Sequence, residues 1–139
     1  MILDWESLAA TLRWELQEYG GLLNLFDEQE AAILHDEPDA LRSVLDSIAQ
    51  QARTIYTCRK QRESLVQQCA TIAIQPKGSP LSSLLAFFKD PIQPLLKALI
   101  EEVNHLIVRT KKRARQNQML LTRSMEVSQK IGGGYLPKL

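Results

Sequence analysis

The sequence predicts an all-α protein: an elongated antiparallel three-helix bundle or coiled coil with a short extra helix between helices two and three. Three observations carry this. Apolar residues recur at threes and fours along three long stretches. Helix-stopping residues fall only between those stretches. Aromatic residues are only 6% of the 139 while 45% are hydrophobic, so the core must be built from Leu, Ile, Val and Ala rather than from the aromatic and β-branched side chains a sheet favours.

The first helix is expected from about residue 4 to 35. Trp5, Leu8, Leu12, Tyr19, Leu22, Phe26 and Ile33 give one apolar face at heptad spacing, and Leu16 and Leu23 widen it as a bundle helix requires. Gly20-Gly21 interrupts the pattern. Each glycine costs about 1 kcal/mol against alanine in a helix interior, so a kink or soft point is expected there.

His35-Asp36-Glu37-Pro38 marks a break, with an acidic cap before a proline suited to a first helical turn. The second helix then runs over about 37–73. Leu41, Val44, Leu45, Ile48, Ala52, Ile55, Leu65, Val66, Cys69 and Ile72 hold the period, although Arg59 and Arg62 weaken its middle. So short a turn makes the first two helices antiparallel neighbours. Cys58 and Cys69, about 16 Å apart on one helix at the standard rise, are too distant for a disulfide and read as buried free thiols.

Ile74 to Pro80 is loop. A short helix over about 80–88, capped by Ser79, follows. The third long helix runs over about 91–131, roughly 60 Å. Its inner face is Leu-rich up to Thr110 and turns small and polar beyond it, through Ala114, Asn117 and Ser124. Gly132-Gly133-Gly134 stops the helix, leaving residues 1–131 as a single bundle and 132–139 as a flexible C-terminal tail.

Charge is divided along the chain. Residues 1–46 carry eleven acidic side chains against Arg13 and Arg42, whereas the remainder carries 15 basic and 5 acidic ones. At equal rise, Lys111 to Arg115 lie beside Asp27, Glu28 and Glu30, so the basic run is expected to neutralise the acidic end of its neighbour. That pairing, the sequence pI near 7.8 and the lack of interleaved aromatics speak against nucleic acid as a partner. The longest apolar run, Leu84 to Phe88, is too short to span a bilayer, and Met1 to Glu6 lacks a basic leader. A cytoplasmic protein without membrane insertion is the expectation.

No catalytic motif stands out. Glu102-x-x-His105 has the spacing used in helical di-metal carboxylate sites, but Ala32 stands three positions before the other histidine, His35, so no second copy exists. Neither an enzyme, a metal nor a cofactor is expected. The upper third helix and tail, by contrast, hold Met119, Leu120, Leu121, Met125, Val127, Ile131, Tyr135 and Leu136, an apolar load heavy for a polar terminus. On residues alone, two readings are open: a partner-binding amphipathic surface with adaptable methionines, or a core seam continued to its end.

Nearly the whole chain resembles the FlgN-like flagellar export chaperones. The resemblance rests on Leu22–Phe26 through Glu30 to Leu34 and Asp36, on Arg59 and Arg62, on Asn117-Gln-Met-Leu-Leu121, and on Tyr135. It implies a cytosolic chaperone that binds the C-terminal helical segments of hook-associated junction proteins, prevents their premature assembly and delivers them to the type III export gate. It further implies a cargo surface of Asn117, Met119, Leu120, Leu121, Ser124, Met125, Val127 and Ile131, with Tyr135 and Leu136 meeting the cytoplasmic domain of the gate. A monomer or weak homodimer suits that role. The alternative is a non-enzymatic coiled-coil adaptor or self-assembling scaffold, which would use the same heptads.

Overall fold

A computed structural model describes residues 3–129, and every regular element in them is helical. Helix α1 spans Trp5–Leu34 and α2 spans Pro38–Ile72. A four-residue helix α3, Leu81–Leu84, continues into a 3₁₀ turn, Leu85–Phe87, and α4 spans Ile92–Gln129. The expected all-α bundle is present, its third long helix being α4. Ile131 and residues 132–139 lie outside the described residues.

Each boundary has a local cause. Asp4 accepts the Ser7 N–H at 3.1 Å and so caps α1, which holds its carboxyl below the usual range. At the far end the Glu37 N–H donates to Ala32 O (3.0 Å) and the Asp36 N–H to Ile33 O (3.3 Å), a paired closure of the last turn around a left-handed residue, Asp36 at φ 50°. Helix α2 ends the same way. Gln75 N–H reaches Ala70 O (2.8 Å) and Ile74 N–H reaches Thr71 O (3.2 Å), with Ile74 at φ 56° and 85% exposed. A β-branched residue rarely takes that conformation, so this closure carries backbone strain.

Two caps differ from expectation. Glu37 precedes α2 without a side-chain capping bond; Pro38 at the first position removes one donor in need of a partner. Ser79 does not cap α3, because its hydroxyl donates to Pro76 O and the helix begins after Pro80.

Helix α1 is the spine. It supplies eleven buried residues against six from α2, and both α2 and α4 pack along it while hardly approaching each other. Leu8, Leu12, Tyr19, Leu22, Phe26 and Ile33 are buried as the spacing predicts, with Trp5, Leu16 and Leu23 partly so. At the base, Leu81, Leu84 and Phe88 enter the same core beside Leu96 and Val103, so the short helix closes the lower end. Leu45 (41% exposed) and Ala52 fall outside the core despite their heptad positions.

The glycine pair does not end α1, which runs through it without a break. Gly21 has a packing reason: a Cβ there would stand 2.9 Å from Gln51 Nε2. The bare backbone lets the Gln51 amide lie across α1 and donate to Glu18 O at 3.0 Å and to the Glu18 carboxylate.

The centre of the α1–α2 interface is polar. Glu15 is wholly buried, and the Arg62 fork donates to both its oxygens at 2.6 and 3.1 Å. Arg62 thus belongs to the seam that its charge seemed to weaken. Removing one partner leaves a buried charge alone, at a cost of about 3–5 kcal/mol. Arg62→Ala is therefore expected to lower the unfolding free energy by about that amount in urea titration. The double change Glu15→Leu with Arg62→Met should recover most of it.

Both cysteines are free and buried. Burial, reinforced by the Glu18 and Glu15 charges, pushes the Cys58 thiol up from 9.0 to about 11. Folding therefore favours the neutral thiol, a contribution complete below pH about 9 and lost as pH rises towards about 11. Native Cys58 is expected to resist alkylation at a pH of about 8, where the unfolded chain reacts. Rapid modification of the native protein would contradict this burial.

Candidate partner-binding surface

Because α2 and α4 lean on α1 and not on each other, an open furrow separates them. At its base is a cleft of about 470 Å³. Leu12 forms the floor, Glu63, Val66 and Gln67 one wall, Ile100, Val103 and Asn104 the other, and Gly78 to Ser82 the lower lip. The heptad register carries both walls upward. From Val66 the α2 wall continues through Arg59 and Ala52 to Leu45. From Ile100 the α4 wall continues through Ile107 and Ala114 to Leu121, and from Asn104 through Lys111 and Gln118 to Met125.

Exposure agrees with that register. Leu45 is 41% and Met125 58% exposed, and Ala52 and Ala114 are exposed. Leu121 and Ile107 are half-buried. Tyr56 lies on the α2 edge, 55% exposed, with Arg59 and Lys60 over its ring at 5.9 and 5.3 Å from the centroid.

The upper part of α4 is fixed to α1 by polar bonds. Asn117 is 2% exposed; its amide donates to Phe26 O and Gln29 Oε1, both at 2.8 Å. One turn lower, Arg113 donates to Asp27 (3.0 Å) and Glu30 (2.7 Å). Partial burial opposes its charge, but these bonds outweigh it and raise its pKa. The expected pairing of the basic run with the acidic end of α1 is thus made by Arg113.

The sequence-derived cargo residues therefore occupy three settings. Asn117 lies inside the fold, held by α1. Leu120, Leu121 and Ser124 are half-buried. Met119, Met125 and Val127 are 57%, 58% and 54% exposed. Helical spacing points Leu121 and Met125 towards the furrow and Leu120 and Val127 towards the opposite flank. Ile131, Tyr135 and Leu136 lie outside the described residues. Glu102 and His105 are both exposed, and no cluster of three metal-ligating side chains occurs among the described residues.

A family model described as FlgN protein matches residues 1–131. The chain belongs to the FlgN family. FlgN proteins are flagellar export chaperones rather than enzymes, which gives the bare apolar walls of this FlgN chain a context. No curated protein and no solved structure matches the chain. Among the described residues, no helix is long and apolar enough to cross a membrane.

The α2 wall was missed in the sequence because Leu45 and Ala52 extend an apolar face that already looked like core. The available signal was the excess width of that face, more than one neighbouring helix can cover.

Two substitutions separate fold from surface on α4. Asn117→Ala strands the Gln29 and Phe26 acceptors and should cost about 1–3 kcal/mol. The Thr110 hydroxyl is buried without a partner, so Thr110→Val should be neutral or stabilise by about 1 kcal/mol. Thermal unfolding of the two variants checks both signs.

Proposed function

We propose that this FlgN chain is a cytosolic chaperone for hook-associated flagellar proteins. It holds their C-terminal helical segments along the furrow and the upper turns of α4, prevents premature assembly, and delivers them to the cytoplasmic domain of the type III export gate. The observation that carries the binding surface is the apolar area left in water above the cleft, Leu45 on α2 at 41% and Met125 on α4 at 58% exposed, which heptad spacing sets on the cleft's two walls together with the half-buried Leu121. An amphipathic helix laid between them would cover apolar area that the fold leaves in water, at about 25 cal/mol per Å² buried.

Such a surface suits a cargo that otherwise assembles through coiled-coil contacts. The cargo helix exchanges its own partner for the chaperone's walls, with no nucleotide or metal required. Met119, Leu120, Ser124 and Val127 extend the contact around upper α4. Asn117 keeps that helix in register. Tyr135 and Leu136 are the proposed gate contacts, a role carried by the family resemblance.

The test is light scattering coupled to size-exclusion chromatography, with a hook-associated protein of the same organism as cargo. A discrete complex is expected, weakened about tenfold or more by Leu45→Glu with Met125→Glu, while circular dichroism stays unchanged. Point substitutions are cleaner than deleting the upper helix, which would remove Asn117 from the core. A complex indifferent to both substitutions would sink this surface. A fixed homo-oligomer that ignores the cargo would favour the scaffold role.

A further inference from the structure

The furrow has a charge signature as well as an apolar one. One heptad above the cleft-lining Val66, Gln67 and Asn104, helical spacing sets Arg59 and Lys60 on α2 and Lys111 on α4, with Arg115 one turn further, all exposed. The acid on this edge, Glu63, already lies 3.7 Å from Arg59 and 3.4 Å from Lys60. Among the described residues, neither Lys111 nor Arg115 has a carboxylate within ion-pair distance. Arg113 contrasts with them, being neutralised by α1. The fold therefore uses one cation of the run for itself and leaves its neighbours beside the furrow.

We infer that the helix accepted by this furrow carries acidic residues on both edges of its apolar stripe, so that the chain selects acidic amphipathic helices over neutral or basic ones. The inference rests on reading the furrow as the cargo site and adds the chemistry of what fills it. Between the cations the same spacing sets aliphatic residues on both walls, Ile107, Ala114 and Leu121 on α4 and Ala52 and Leu45 on α2. Alanines at mid-height let a helix settle low, bringing its flanking carboxylates level with the cations on either side. Tyr56 holds Arg59 and Lys60 against its ring, which limits the side-chain freedom lost when an anion arrives. The same details disfavour single-stranded nucleic acid, which needs free aromatic faces for stacking. Complementary edge charges act chiefly on partner choice and association rate, and they weaken with salt.

The test uses the full chain and two fluorescent synthetic peptides with identical Leu/Ala heptads, one flanked by Glu and one by Lys. Anisotropy at about 50 mM salt should show the Glu peptide binding about tenfold more tightly, with the preference shrinking at about 500 mM. Lys111→Glu with Arg115→Glu should reverse the order. Equal affinity for the two peptides, with both lost in Met125→Glu, would overturn the acidic preference while leaving the furrow as the cargo site. Failure of both peptides to bind would overturn the furrow and the preference together. Tighter binding of a labelled single-stranded RNA, or self-association that excludes the peptides, would also overturn the inference.

Discussion

A carboxylate without access to water sits midway along the spine of this protein, and the guanidinium that neutralises it comes from the neighbouring helix. The Glu15–Arg62 pair contributes less to stability than its short bonds suggest, because desolvating two charges offsets most of their attraction. Its larger effect is on alignment. Sliding α2 by one heptad in either direction would bring Ile55 or Cys69 to the position of Arg62 and leave Glu15 buried and alone. The apolar residues of the two helices would tolerate that slip, since a heptad replaces one hydrophobe with another. The charge does not. With this register fixed, Gln51 arrives over Gly21.

A second set of polar contacts places the other wall. Asn117 reaches the Phe26 carbonyl and the Gln29 side chain, and Arg113 bridges Asp27 and Glu30. Both act on α1, so the two walls of the furrow are positioned independently against one spine. Apolar packing dominates the lower half, where Leu96, Val103 and Leu106 are buried. Directional bonds take over above Thr110, where the α4 inner face becomes small and polar. An aliphatic seam continued to the top would hold the helices together without specifying their relative height.

Much of this was legible in advance. Heptad spacing located the long helices, the break at Asp36 to Pro38 gave the antiparallel turn, and equal-rise counting put the basic run beside Asp27 and Glu30. What escaped was the polar interior. Glu15 and Gln29 are read as solvent-facing by any scheme that sorts residues by hydrophobicity, and their burial depends on partners 47 and 88 positions away. Spacing placed Asn117 on the inner face of its helix, where it is buried, but did not say that its amide would be spent on α1. The furrow was invisible for a related reason: a and d residues do not say which helix they face, so Leu45 and Met125 look alike whether they meet each other, a third helix or water.

The separation of α2 from α4 also bears on how the molecule opens. Above the short helix, which joins α2 and α4 at the base, the contacts pass chiefly through α1 and form two strips, α1 with α2 and α1 with α4, whose upper parts can come apart separately. The upper turns of α4, with α1 as their main support, are the natural unit for local fraying. A segment lodged between the walls adds the missing third side and links the strips into one cooperative block. Its binding energy then counts against fraying by mass action. On the cargo site proposed above, protection of upper α4 from solvent exchange or proteolysis would gauge occupancy, low in the empty protein and high in the loaded one.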